Sequence, residues 1–97
     1  MDVRIVGRRN GQRVLLVENH PGTVATLRIL FQQNGCSVRT ATCAADAMVM
    51  SSLEPFDFVV INSEIGQGRA LSEHFLTQGG MRQQDVFAYA MKPTQGA

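Results

Sequence analysis

The chain has 97 residues, 44% of them apolar and 18% charged, with nine basic against eight acidic side chains and a formal charge of +1. That length supports one small domain with a modest core, and the balance is globular rather than disordered. Near-neutral charge leaves neither an electrostatic footprint for nucleic acid nor a polybasic surface for membranes, so neither partner is expected.

Residues 1–12 read as a leader or as an edge strand. Residues 3–6 and Arg13–Val17 flank an Asn10-Gly11 turn signal, which permits a hairpin and hence an extra antiparallel strand. Arg4, Arg8, Arg9 and Arg13 crowd this stretch and read as a solvated turn. Residues 13–97 form the domain proper. Arg13–Val17 (RVLLV) is β-branched-rich and apolar on both faces, which fits a central strand of a parallel sheet. Pro21 suits a first helical turn, Val24, Leu27, Leu30 and Phe31 recur at helical spacing, and Asn34-Gly35 closes that helix. A brief strand follows over residues 36–40. Thr42 can cap a second helix carrying Ala44, Ala47, Met48 and Leu53, which stops before Pro55.

Residues 56–62 (FDFVVIN) then make a buried strand that ends on an amide. A loop with Gly66 and Gly68 leads to a third helix through Leu71, Phe75 and Leu76, ended by Gly79-Gly80. Residues 86–90 are one more strand, and Lys92-Pro93 begins a polar tail. Strands alternating with helices over short loops mean a parallel sheet with right-handed crossovers. In such sheets ligands sit at the carboxyl ends of the strands. Three segments converge there: Glu18-Asn19 after the first strand, Asn62 after the third, and the end of the last.

At this point the chain resembles the receiver domain of two-component response regulators. VLLVENHPGTVATLRILFQQNGCSV is similar to the family's first strand, acidic pair, first helix and second strand. EPFDFVVIN is similar to its third strand, IGQGRAL has the length of its next loop, and AYAMKP resembles its lysine-proline ending. The resemblance implies a flavodoxin-like, three-layer α/β/α domain with a parallel sheet, shortened at the C-terminus. Family members take a phosphoryl group on the third-strand aspartate. Magnesium held by acidic residues neutralises the charge, a lysine contacts the phosphate, and a hydroxyl residue after the fourth strand reads its arrival.

Position by position, the resemblance puts Asn62 at the phosphoacceptor position, where an amide cannot form an acyl phosphate. Glu18 keeps the first acid, one methylene longer, and Asn19 replaces the second. Glu18 and Asn19 are thus the remnant of an acidic pocket, and magnesium binding is expected to be very weak or absent, with no other cofactor. The last strand admits two alignments. With residues 86–90 as the fourth strand, Ala90 or a neighbour takes the hydroxyl position. With residues 89–93 as the fifth-strand ending, which Tyr-x-x-Lys-Pro favours, Lys92 takes the place of the phosphate-binding lysine and a strand and a helix are missing ahead of it. Either way an apolar flank is left open.

Other residues receive plainer readings. Asn62 also suits a structural amide at a strand end, and Asp57 a polar strand start. His20 reads as a capping or solvated side chain, and His74 has no partner at ligand spacing. Cys36 and Cys43 match neither a disulfide framework nor a zinc motif and read as mostly buried, reduced thiols. Met48, Met50 and Met81 read as gap-filling residues. No apolar run approaches the roughly eighteen residues that span a bilayer, and the first residues lack a secretory signal, so a cytoplasmic location is expected.

The expectation from these residues is a pseudo-receiver: a non-enzymatic signalling or adaptor module acting through a protein partner or self-association, without aspartate phosphorylation. The alternatives are a working phosphorelay receiver using a different carboxylate, and an inactive receiver-like piece of a sensor kinase.

Overall fold

The computed structural model describes residues 11–91. In chain order these form β1 (Arg13–Val17), α1 (Pro21–Gln33), β2 (Ser37–Ala41), α2 (Ala44–Leu53), β3 (Phe58–Asn62), α3 (Gly68–Thr77), one 3-10 turn (Gln83–Asp85) and β4 (Val86–Tyr89). The strands make one four-stranded sheet in the order β2-β1-β3-β4. Every neighbouring pair is parallel. The expected extra strand over residues 3–6 lies outside the described residues, as does Lys92.

Alternation along the strands sorts the core into two layers. Val14, Leu16, Phe58 and Val60 point to one face and meet Phe31, Val24 and Leu27 of α1. Leu15, Val17, Val59 and Ile61 point to the other and meet Ala44 and Ala47 of α2 and Leu71 and Phe75 of α3. The result is a three-layer α/β/α arrangement of the flavodoxin-like kind. Val14 to Val17 are completely buried, which explains why β1 lacks any polar alternation. Each fully buried aliphatic side chain of this sort contributes about 1.5–3 kcal/mol.

The helix ends follow local chemistry. The His20 side chain caps α1, its Nδ1 accepting from the Thr23 N–H at 3.2 Å, which bears out the capping reading. Asn34 closes α1, and Gly35 follows in the left-handed region at φ +84°. Thr42 does not cap α2. That position falls to Cys43, which has extended backbone and makes no side-chain cap. Cys43 is therefore exposed, unlike buried Cys36, so the reading of two mostly buried thiols holds only for the latter. Met50 and Met81 pack against the core as gap fillers, whereas Met48 and Leu53 of α2 face outward.

One further expectation changes. Arg13 opens β1 rather than a solvated turn. Its guanidinium pairs with Glu54, which also meets Arg39 at 3.4 Å, and it lies over the Phe56 ring. The last strand is the fourth of the sheet, because α3 crosses over and returns the chain directly beside β3. Both alignments of the last strand give it that place, the fifth-strand one because it removes a strand and a helix ahead of it. Among the described residues no helix is long and apolar enough to cross a membrane.

Candidate functional site

β1 and β3 run side by side with Val17 opposite Ile61, so the next residues, Glu18 just past β1 and Asn62 at the last place of β3, are neighbours. Both are buried, at 1% and 3% exposure, and they are the buried polar side chains of the described core. Their contact is direct. The Asn62 side-chain Nδ2 donates towards both Glu18 oxygens, at 3.2 and 3.4 Å.

The rest of the Glu18 carboxylate is also engaged. Its Oε2 accepts the backbone N–H of Asn19 at 2.9 Å and of His20 at 3.1 Å. Its Oε1 accepts the hydroxyl of Tyr89, at the end of β4. Burying an unpartnered carboxylate would cost several kcal/mol, and here hydrogen bonds from four groups replace its water. Among the described residues no basic side chain forms an ion pair with it. The carboxylate precedes the first turn of α1, where backbone N–H groups favour negative charge.

Asn62 is equally committed. Beyond Glu18, its Nδ2 donates to the Met91 carbonyl at 2.9 Å. Its Oδ1 accepts the N–H of Met91 at 3.1 Å and of Glu64 at 3.0 Å. One amide therefore ties the ends of β1 and β3, the following loop, and the residues after β4. Asparagine suits this task because one end donates and the other accepts. An aspartate there would turn an oxygen towards Glu18.

Tyr89 completes the cluster, and sequence reasoning noticed it only as part of a lysine-proline ending. Its phenol is pushed well above the ordinary tyrosine range, first by burial and then by the hydrogen bond and charge of Glu18. Alternation along β4 and the Asn62–Tyr89 register carried the signal.

Asn19 contributes its backbone N–H to the cluster while its side chain is exposed. Asp57 is not part of it: it sits at the amino end of β3, where its carboxylate accepts the Arg13 N–H at 2.8 Å. The strand-start reading of Asp57 is borne out. The loop after β3 lies close against the site. A Cβ at Gly68 would lie 2.7 Å from the Asn62 carbonyl oxygen and 2.9 Å from the Ser63 Cα, so only glycine lets α3 start this close to the strand end. Gln67 before it takes the left-handed conformation at φ +63°. Beside the cluster, between α1 and β4, lies an open cavity of about 570 Å³ whose lining includes Thr23, Leu27, Val60, Tyr89 and Met91.

No protein-family model and no curated protein matches the sequence. Solved structures do match. The chain is similar to a two-component response regulator of the LuxR family from Aurantimonas sp. SI85-9A1, with a TM-score of 0.71 and 22% identity over 87% of this chain and 61% of that one. It is also similar to a response regulator receiver domain (CheY-like) from Methylobacillus flagellatus, with a TM-score of 0.66 and 18% identity over 87% of this chain and 88% of that one. The chain thus spans 61% of the length of the LuxR-family regulator. These likenesses place the described residues in the receiver fold.

Proposed function

We propose that this domain is a signalling module of the two-component type that works by protein–protein contact and does not take a phosphoryl group at its strand-end pocket. One observation carries the reading. Asn62 occupies the end of β3 where the receiver pattern writes its nucleophilic aspartate, and every polar atom of its side chain is bonded inside the fold. Attack on phosphorus needs a carboxylate oxygen with a free lone pair facing the donor. The amide offers neither that charge nor that access.

The cation that assists such transfer also lacks a seat. Magnesium asks for several oxygen ligands in octahedral geometry. The donor set at hand does not suit it, since Glu18 is enclosed by hydrogen-bond donors and Asn19 supplies no carboxylate. The pocket then acts as a permanent latch in place of a switch, and the domain holds one conformation. It is read as non-enzymatic, with a signalling protein or a second copy as its partner.

Intact mass after incubation with magnesium and a small acyl-phosphate donor tests this. The expected result is an unchanged mass. Gain of one phosphoryl group that maps to any carboxylate would replace this reading with a working relay.

A further inference from the structure

We infer that the groove between α2 and α3 is a binding site for a small aromatic ligand carrying one carboxylate, which the His74 imidazole receives while the ring lies on an apolar floor. The site shares no residue with the Glu18–Asn62 cluster, so it goes beyond the contact-module reading and does not depend on it.

The groove follows from how the two helices are anchored. Ala44 and Ala47 hold α2 to the sheet, and Leu71 and Phe75 hold α3. Helical spacing then turns Met48 and Ser51 to the flank of α2, and His74 to the flank of α3. Between these flanks lies a cavity of about 510 Å³, within the range of small-molecule sites. Val59 of β3 and Phe75, both core residues, line it together with Phe56 and Met81. The glycine turn after α3 brings Met81 there. Gly80 is left-handed at φ +69°, and the Met81 N–H returns to the Phe75 carbonyl at 3.0 Å. Met48 and His74 also line a smaller cavity of about 190 Å³ towards Gln67, so these two side chains stand where the two spaces meet.

The lining selects the ligand. Two phenylalanine rings and two thioethers, those of Met48 and Met81, favour an aromatic body, since rings and sulfur both make specific contacts with a ring. The polar groups select the rest. Both serine hydroxyls donate to their own helix, Ser51 Oγ to the Met48 carbonyl at 3.0 Å and Ser52 Oγ to the Val49 carbonyl at 2.7 Å. While those bonds hold, neither donates to a ligand.

The lining holds no acidic side chain, lysine or arginine, and His74 is its one ionisable residue. The His74 ring meets the Phe75 ring edge-on, with 5.7 Å between centroids, and among the described residues its nitrogens take part in no hydrogen bond. A ring N–H of His74 is therefore the side-chain donor that the cavity offers, and it calls for an acceptor. A carboxylate fits best, because no acid in the lining repels it and a charge-assisted hydrogen bond is the stronger kind. A ligand ammonium would meet two hydroxyl oxygens and no counter-charge.

Phenylpropionate is the probe, titrated into the isotope-labelled chain and followed by amide chemical shifts. Saturable shifts centred on residues 48–56 and 74–81 are expected, with a Kd of about 1 mM or tighter. Phenylpropylamine, which carries an ammonium in place of the carboxylate, should bind about tenfold more weakly or not at all. His74→Leu removes the donor and should weaken phenylpropionate about tenfold, whereas His74→Gln restores a donor and should stay within about threefold of the parent. Ser51→Leu fills the cavity and should abolish the shifts, and it serves if His74→Leu fails to fold. No saturable shift up to about 10 mM overturns the site. So does tighter binding of the amine, equal binding by the parent and His74→Leu, or shifts gathered instead at Thr23 and Met91 beside the other cavity. None of these outcomes bears on phosphoryl transfer, which intact mass decides.

Discussion

Asn62→Asp reverses one atom of the latch, and its cost can be worked from the distances. The variant keeps an acceptor for the N–H groups of Glu64 and Met91. It loses the donor that lies 3.2 and 3.4 Å from the two Glu18 oxygens and 2.9 Å from the Met91 carbonyl. Two carboxylates at such a separation repel by about 5 kcal/mol at an effective dielectric of about 20. The folded protein can relieve part of this by holding one proton between the pair. We expect a loss of about 2–4 kcal/mol at pH 8, a large share of the 5–15 kcal/mol typical of a domain. The sign of the pH dependence follows from the shared proton. Folding raises a carboxyl pKa in the variant, so the native state binds more protons than the unfolded chain above about pH 4, and stability relative to the parent falls as pH rises. Urea unfolding of parent and variant at pH 5 and pH 8 reads this as a deficit that widens with pH by at least about 1 kcal/mol, the slope being at most about 1.4 kcal/mol per pH unit for one proton. Adding Glu18→Gln should restore most of the loss, as a double-mutant cycle would register. An equal deficit at both pH values, or no recovery in the double variant, would show that Nδ2 does not face Glu18.

Tyr89→Phe removes the hydroxyl from the buried Glu18 carboxylate and should cost about 1.5–3 kcal/mol in urea unfolding. The chain holds one tyrosine and no tryptophan, so phenolate absorbance reports this residue alone. In the native protein its ionisation should begin well above that of the unfolded chain. Because the folded phenol is raised, its contribution is complete below the ordinary phenol pKa of about 10 and declines as pH climbs past it. A native titration that overlays the unfolded one would contradict the hydrogen bond. Gly68→Ala presses a Cβ against fixed backbone, and thermal melts should show it about 1–3 kcal/mol less stable. Gly66→Ala meets open space and should fall within about 0.5 kcal/mol of the parent, so equal effects at the two glycines would count against the close approach.

Much of the frame was legible in the residues. The doubly apolar runs of β1 and β3 announced central parallel strands, and Pro21 with Asn34-Gly35 bracketed α1. The meeting of Glu18 with Asn62 followed from two strand ends in a parallel sheet, because register is conserved along neighbouring strands. What escaped were relationships that only packing sets. Cys43 took the cap position in place of Thr42, since α2 begins where Ala44 and Ala47 can reach the core. The lysine-proline pattern drew attention past Tyr89 to Lys92, yet the phenol reaches Glu18, a contact between residues 71 positions apart. Local pattern carries no information about which strand α3 returns beside, so the place of β4 next to β3 had to come from the fold.

The way β4 is held has a consequence for local opening. The strand is four residues long, pairs among the described residues only with β3, and its Phe87 and Ala88 are exposed, so little apolar burial secures it. Much of its anchorage is polar, through Tyr89 to Glu18 and Met91 to Asn62. Peeling β4 away would hydrate a carboxylate that the folded chain keeps dry, and closing it again must strip that water off. A short, partly exposed strand is therefore coupled to a buried carboxylate. In amide exchange, β4 and the Asn19 and His20 amides should open as one unit, at a lower free energy than β1.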